Sequence, residues 1–180
     1  MQNINIFNAV KIIIQHTEED FMIRLATAED AHLVHRIMLS AFEEYRYDKV
    51  PSAALNETVS SIEESLKNGS VKALLCYIDG VPLGTVRFKT DKNSLYFFRL
   101  SVCPEARRRG LAKSMLLWLE NYAKEHGITE IWCKVRMSVP QNIQLYKSVG
   151  YIICNEETVT HQNGFSVKVA TMKKKIPLLS

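Results

Sequence analysis

Three consecutive arginines stand directly before a glycine and a helix-forming segment in the middle of the chain. The residues are Arg107-Arg108-Arg109-Gly110-Leu111-Ala112, and they follow a strand-like stretch that ends at Cys103. Helix N-termini leave backbone N–H groups unpaired and carry partial positive charge, so they bind anions, and phosphates above all. Gly110 and Ala112 lack bulk, which lets a pyrophosphate come close to the backbone. The segment predicts a site for a diphosphate-bearing ligand.

The same segment excludes two other phosphate-binding loops. No Gly-Lys-Ser/Thr follows the glycine, as a Walker loop requires, and the G-x-G-x-x-G pattern of dinucleotide-binding folds is absent. Taken alone, three arginines and a glycine are equally compatible with an ordinary strand-to-helix turn whose basic side chains are solvated.

Two motifs, in this order and at this separation, resemble the GNAT superfamily of N-acetyltransferases. The acetyl-coenzyme A signature of that family is Q/R-x-x-G-x-G/A, and Arg107, Gly110 and Ala112 satisfy it. About 35 residues further on, Asn142–Tyr151 is similar to the family's L-Y-x-x-x-G-F/Y segment. The resemblance spans roughly Met22–Ile176, and it implies transfer of an acetyl group from acetyl-coenzyme A to a primary amine.

The resemblance implies how the cofactor binds. In this family the strand before the loop separates from its neighbour and pairs with the pantetheine arm, a role that falls here on Leu100, Ser101 and Val102. Backbone N–H groups of the loop hold the pyrophosphate, which implicates Arg107, Arg108, Arg109, Gly110, Leu111 and Ala112. Lys113 and Ser114 follow in the first helical turn as further candidates.

Tyr146 matches the family tyrosine whose hydroxyl lies near the cofactor sulfur. When an amine attacks a thioester, a thiolate must leave, and a nearby phenol can donate a proton to it. The resemblance therefore implies that Tyr146 is the general acid, with a core aromatic as the other interpretation. Asn142 is implied as a contact to the pantetheine arm, although the position of the family's usual asparagine holds Val139 here.

The sequence leaves the general base open. An ammonium acceptor must lose a proton before it attacks, and many family members carry a glutamate on the strand that corresponds to Leu95–Val102, where this chain has no carboxylate. Glu43 and Glu44 are the nearest acids in family terms, with solvated helix-end charges as the other interpretation. The remaining candidates are His35, His161 and a chain of water molecules.

The acceptor is expected to be a small-molecule or peptide amine. Aromatic and acidic residues cluster after the first predicted helix, and a rim of this kind would suit a cationic amine. These residues are Phe42, Glu43, Glu44, Tyr45, Tyr47 and Asp48. No metal site is expected, because no Cys/His cluster has metal-ligand spacing, and a homodimer is compatible with the family.

Two other functions stay open. A non-catalytic acyl-coenzyme A sensor would keep the loop without turnover, and the missing strand carboxylate is compatible with it. A nucleic-acid-binding domain would use the three arginines at the helix start. A net charge of only +4 and the absence of interleaved aromatic residues count against that function.

The elements that must position these residues follow from turns and periodicity. Asp79-Gly80 and Asn163-Gly164 predict hairpins, and Leu111–Tyr122 has helical spacing. The predicted order is β-α-α-β-β-β-α-β-α-β-β, in which the two strands flanking the long helix are parallel if they are neighbours. This is an α/β (α+β) fold, with a GNAT-like mixed, mostly antiparallel central sheet of about seven strands and helices on both faces.

Length and composition predict a single globular domain, with 180 residues, 47% hydrophobic and 23% charged. A change of pattern at Met22 predicts an N-terminal extension over residues 1–21 and the acetyltransferase domain over residues 22–180, with an added edge strand as the alternative for the extension. Four separated cysteines and the lack of a leader or a long apolar run predict a cytoplasmic protein. No nucleic-acid or membrane partner is expected.

Overall fold

The structure is a computed structural model that describes residues 9–11 and 20–178. The N-terminal extension predicted for residues 1–21 therefore falls mostly outside the described residues. The strands are β1 (Ala9–Lys11), β2 (Phe21–Leu25), β3 (Lys72–Ile78), β4 (Val81–Asp91), β5 (Ser94–Val102), β6 (Glu130–Arg136), β7 (Ile152–Thr160) and β8 (Ser166–Lys175). The α-helices are α1 (Ala31–Phe42), α2 (Val59–Lys67), α3 (Leu111–Glu125) and α4 (Pro140–Ser148).

All the strands belong to one sheet in the order β1-β2-β3-β4-β5-β6-β8-β7. Every neighbouring pair is antiparallel except β5 and β6, which flank α3 and run parallel. The predicted mixed sheet and its one parallel pair are thus confirmed. Residues 9–11 add a short eighth strand at the edge beside β2.

Helices cover both faces of the sheet, as the sequence predicts. On one face α1 and α2 bury residues such as Val34, Ile37 and Ile62 against β3. On the other face α3 buries Met115 and Leu119 in a larger core. Burial of these apolar surfaces is the main free energy that holds the two layers on the sheet.

The two predicted hairpins are present. Asp79 and Gly80 link β3 to β4 with φ of 49° and 78°. These left-handed values give the turn the twist that the paired strands need. Strands β7 and β8 pair around the Asn163-Gly164 turn.

The sequence over Leu55–Lys67 predicts one helical stretch, and this prediction is wrong at its start. A separate 3₁₀ turn covers Ala53–Asn56, and α2 begins only at Val59. Thr58 caps α2, because its side chain accepts a hydrogen bond from the Ser61 backbone N–H. The break leaves Glu57 in extended backbone between the two segments.

Strands β5 and β6 pair over a short distance only. Their parallel register runs from Ser94–Tyr96 opposite Glu130–Trp132, and there it ends. The rings of Tyr96 and Trp132 stack at this point with centroids 4.3 Å apart. Beyond it β5 stays paired with β4 while β6 stays paired with β8, so a gap opens between the two strands in the middle of the sheet.

A β-bulge reshapes β5 beside this gap. Thr85 pairs with Ser101 and Arg87 pairs with Phe98, so two residues of β5 lie opposite one residue of β4. Arg99, inside the bulge, has a φ of 54°. A bulge of this kind bends a strand and redirects its side chains.

Candidate active site

A cavity of about 570 Å³ lies between the end of β5 and the start of α3. Its walls come from α1, β5, the arginine loop, α3 and α4. The predicted site residues that line it are Leu100, Val102, Arg107, Arg108, Gly110, Leu111, Ala112, Asn142 and Tyr146. The structure therefore brings the two sequence motifs together at one cavity, although about 35 residues separate them in the chain.

Two predicted binding residues lie outside the lining of this cavity. Ser101 is buried, and its hydroxyl donates a hydrogen bond to the Arg99 carbonyl oxygen at 2.9 Å. Arg109 belongs to the loop but does not line the cavity, whereas Lys113 does.

The start of α3 presents backbone donors to this cavity. Gly110 is the N-cap residue, has a φ of 85°, and supplies no side-chain cap. A Cβ at Gly110 would meet no atom within 4 Å, so the backbone conformation rather than crowding requires glycine. Because the first N–H groups of a helix have no intrahelical partner, the first turn of α3 can bind an anion.

Glu44 and Arg107 connect α1 to the arginine loop across the cavity wall. The Arg107 guanidinium donates to both Glu44 carboxylate oxygens at 2.9 and 3.2 Å, and to the Ala41 carbonyl oxygen at 3.3 Å. Both side chains are about half exposed, and both residues line the cavity. The pair therefore places a carboxylate beside the donors at the start of α3.

A second cavity, of about 330 Å³, is lined by both β5 and β6 where the two strands separate. It shares Phe42, Tyr45, Leu100, Asn142 and Tyr146 with the first cavity. The rest of its wall includes β5 residues from Tyr96 to Arg99 and β6 residues from Cys133 to Arg136. The gap in the sheet thus joins two cavities that meet at Tyr146.

Tyr146 is buried on α4 at the junction of the cavities. Its ring packs edge-on against Phe97 with centroids 5.6 Å apart. Burial raises the pKa of the Tyr146 phenol well above its ordinary value, and the nearby Cys133 and Tyr45 raise it further. The phenol is therefore protonated at neutral pH and can act as a proton donor.

Cys133 lines the second cavity as a neutral thiol. Burial raises the pKa of Cys133 to about 12, so very little thiolate exists near neutral pH. The thiolate is the nucleophilic form of cysteine. An acyl-cysteine route through this side chain is therefore disfavoured.

The candidate general bases do not converge on the second cavity. Glu43 is exposed and forms a two-point ion pair with Arg46, and this hydrogen bonding lowers the pKa of Glu43. Glu44 lines the first cavity only, and Nε2 of His35 contacts the Glu57 carbonyl oxygen at 2.9 Å. His161 lies beyond the end of β7, at the hairpin turn.

The predicted aromatic and acidic rim is split by the structure. Phe42 and Tyr45 line both cavities, whereas Tyr47 is 92% exposed and Asp48 is also exposed. No carboxylate lines the second cavity within residues 20–178. A rim that selects a cationic amine is therefore not assembled at this cavity.

Sequence reasoning missed a cluster of charged residues behind the bulge. The Glu57 carboxylate accepts a hydrogen bond from the Arg87 guanidinium at 2.5 Å and another from Nε of Arg99 at 2.7 Å. Arg87 is buried, and its guanidinium also lies over the Phe98 ring at 5.0 Å. Burial lowers the pKa of Arg87, while Glu57 opposes that shift. The ion pair with Glu57 holds Nε of Arg99 in place, and Arg99 lines the second cavity.

Residues 9–11 and 20–178 contain no group of three or more His, Cys, Asp or Glu side chains that could hold a metal ion. Among the same residues no helix is both long and apolar enough to cross a membrane.

Comparison with known proteins gives the family context of this site. The model of the acetyltransferase (GNAT) family matches residues 31–151. Over 62 residues the chain is 34% identical to the [ribosomal protein bS18]-alanine N-acetyltransferase of Escherichia coli K12, a match that covers 34% of this chain and 40% of that relative.

Solved structures agree in fold. The ribosomal-protein-S18-alanine N-acetyltransferase of Escherichia coli superposes with a TM-score of 0.72 at 17% identity, covering 89% of this chain and 96% of that one. An acetyltransferase of Salmonella typhimurium, solved with its cofactor acetyl-CoA, superposes with a TM-score of 0.67 at 16% identity, with the same coverage. A GNAT-family acetyltransferase of Streptococcus pneumoniae gives a TM-score of 0.71 at 19% identity, covering 87% of this chain and 99% of that one.

Proposed function

This chain belongs to the acetyltransferase (GNAT) family, and we propose that it transfers the acetyl group of acetyl-coenzyme A to a primary amine. The observation that carries the proposal is the junction of two cavities at Tyr146, in the gap between β5 and β6. The first cavity can hold the cofactor and the second can hold the acceptor, and the two cavities share Tyr146. The two reacting groups then meet beside a protonated phenol.

The first cavity has the features that acetyl-coenzyme A requires. The first turn of α3, with Gly110 as its cap, supplies backbone donors for the pyrophosphate. Arg108 and Lys113 add positive charge to the same wall. Past Tyr96, β5 no longer pairs with β6, so its free edge can bind an extended pantetheine arm as an added strand would.

Tyr146 is proposed to donate the proton that the departing thiol requires. When the acceptor nitrogen attacks the thioester carbonyl, the carbon–sulfur bond breaks and negative charge develops on sulfur. A phenol beside that sulfur can protonate it as the bond breaks. The raised pKa of Tyr146 keeps the phenol in the form that can donate.

The acceptor must attack as a neutral amine, and the second cavity favours that form. Arg99 and Arg136 line it, and no carboxylate does so within residues 20–178. Nearby positive charge disfavours an ammonium group and so lowers the pKa of a bound amine. We propose that water accepts the proton, with this electrostatic bias reducing the demand on a general base.

The acceptor amine is a small molecule or a peptide. The curated relatives from Escherichia coli act on an alanine of a ribosomal protein, so a peptide N-terminus belongs in any screen. Small primary amines belong there as well, because the second cavity has a volume of about 330 Å³, which suits a small ligand.

The proposal is tested by incubating the protein with acetyl-coenzyme A and a panel of primary amines. Mass spectrometry should detect an acetylated amine, and a thiol assay should detect free coenzyme A in equal amount. Binding of acetyl-coenzyme A without transfer to any amine in a broad panel would instead identify a non-catalytic acyl-coenzyme A sensor.

A further inference from the structure

The second cavity has an unbalanced charge. Three of its lining residues are cationic, namely Arg99, Lys134 and Arg136, and no lining residue within residues 20–178 is a carboxylate. A cavity that served only to hold an uncharged amine would not need this excess. The three charges differ in how far neighbouring carboxylates compensate them.

Lys134 is compensated, because its ammonium group pairs with Glu157 at 2.9 Å. Arg99 is compensated in part. Its Nε donates to Glu57, but Glu57 also pairs with Arg87, so one carboxylate serves two guanidinium groups. The terminal nitrogens of Arg99 have no hydrogen-bond partner among the described residues.

The charge of Arg136 is not compensated by a carboxylate among residues 20–178. Its terminal nitrogens donate to the backbone carbonyl oxygens of Val50 at 2.5 Å and Pro51 at 3.2 Å. These bonds orient the guanidinium but bring no negative charge, and no acidic partner lies among residues 20–178. The cavity therefore presents a net positive charge from two sides, one on β5 and one on β6.

We infer that the acceptor is a small primary amine that also carries a carboxylate. This rests on the proposed function, since the amine must reach the junction at Tyr146 while its carboxylate binds between Arg99 and Arg136. Arginine pairs with carboxylates through charge-assisted hydrogen bonds. A polyamine or another cation would meet repulsion from both guanidinium groups.

Size and shape point to a small acceptor. The second cavity, at about 330 Å³, lies at the low end of the range typical of ligand pockets. Tyr96 and Phe98 stack with centroids 5.4 Å apart and form part of its wall. An amino acid with an apolar or aromatic side chain fits a wall of this composition.

The first arm of the test compares acceptors that differ in one group. Each amino acid is measured beside its carboxamide and beside the amine that lacks the carboxylate, at equal concentrations of neutral amine. We expect kcat/KM to be at least about tenfold higher for the carboxylate than for its carboxamide. Equal rates, or a preference for the carboxamide or for an N-terminal alanine peptide, would overturn the inference but leave acetyl transfer intact.

Substitutions locate the preference in the cavity. Arg99→Gln and Arg136→Gln should each remove most of the advantage of the carboxylate, measured as the ratio of kcat/KM for the amino acid to kcat/KM for its carboxamide. Lys89→Gln is the matched control, because Lys89 lies 5.8 Å from the Tyr96 ring centroid but does not line the cavity. If the preference survives both arginine changes in folded protein, these residues do not bind the carboxylate.

The second arm measures binding without turnover. N-acetyl amino acids and their amides are titrated into the protein with saturating coenzyme A, and the melting temperature is followed. Tighter binding of the N-acetyl amino acid than of its amide supports the inference. If the carboxylate binds more tightly but no acetyl transfer is detected, the proposed function is wrong and the inference about the carboxylate stands. Equal binding of acid and amide refutes the inference.

Discussion

The rings of Tyr146 and Tyr151 lie 6.1 Å apart, and Phe97 packs edge-on against both. Both tyrosines are buried, but of the two only Tyr146 lines the cavities. The Tyr151 hydroxyl is buried and has no hydrogen-bond partner among residues 20–178. One aromatic cluster therefore contains a phenol that lines both cavities and a matched phenol that lines neither.

Tyr146→Phe is expected to lower kcat by about a hundredfold or more, because it removes the proposed proton donor. The KM for acetyl-coenzyme A should change little, since the ring stays in place. Steady-state kinetics measure both values. Tyr151→Phe is the control and should keep full activity with equal or greater stability, because the hydroxyl it removes is unpaired. Equal activity of the two variants would exclude Tyr146 as the acid.

The pH dependence of kcat/KM should show a rising limb without a falling one below about pH 10. The rising limb reflects loss of the proton from the acceptor amine. An ordinary tyrosine acid would begin to ionise near its usual pKa of 10.0, but burial raises the pKa of Tyr146 above that value. A rate profile measured from pH 6 upward checks this, and a falling limb that disappears in Tyr146→Phe would contradict it.

Glu44→Gln is expected to tighten binding of acetyl-coenzyme A by a few-fold. The change removes a negative charge from the cofactor cavity and frees Arg107, which now pairs with Glu44 at 2.9 Å. Because the pair is about half exposed, the gain should shrink as salt is added. Calorimetric titration of acetyl-coenzyme A at two salt concentrations measures the change in affinity and its dependence on salt.

Glu43→Gln provides the comparison for Glu44, because Glu43 pairs with Arg46 and does not line the cavity. It should leave cofactor binding unchanged. A large loss of kcat in Glu44→Gln, with unchanged cofactor affinity, would instead mark Glu44 as the general base.

Glu57→Gln is expected to lower the free energy of unfolding by about 3 kcal/mol, because it leaves buried Arg87 without its compensating charge. Urea denaturation measures the change. The control is Glu157→Gln, whose ion pair with Lys134 is roughly half exposed and should contribute less than about 1 kcal/mol. Similar losses of unfolding free energy in the two variants would show that the Glu57 cluster stabilises the fold no more than a surface ion pair does.

The fold followed from local signals because each of them acts over a few residues. Asp79-Gly80 dictates a tight turn through its left-handed backbone, and the apolar spacing of α3 dictates which face it buries. The arginine loop and Tyr146 could be proposed as site residues for a similar reason, since each belongs to a short motif with a fixed order.

The second cavity could not be predicted from such signals. Arg136 reaches Val50 across 86 positions of the chain, and Arg99 reaches Glu57 across 42. No local pattern encodes either contact, because both depend on the packing of several elements. The expected role of Tyr47 and Asp48 in an acceptor rim assumed that neighbours in sequence face one cavity, whereas the chain after α1 turns both residues to solvent.

Binding of acetyl-coenzyme A at the start of α3 is tested most directly by a thermal-shift titration. Acetyl-coenzyme A, coenzyme A and ATP are titrated into the wild type, Gly110→Glu and Gly127→Glu. The two glycines lie at opposite ends of α3 with φ of 85° and 67°, and a Cβ at either meets no atom within 4 Å. The backbone strain of the two substitutions is therefore comparable.

We expect both coenzyme A species to raise the melting temperature of the wild type and of Gly127→Glu, by an amount that increases with their affinity. ATP should raise it less, since it lacks the pantetheine arm, and Gly110→Glu should show no rise with either coenzyme A species. If neither species stabilises the folded wild type, or if Gly110→Glu responds as Gly127→Glu does, the proposed cofactor site is wrong.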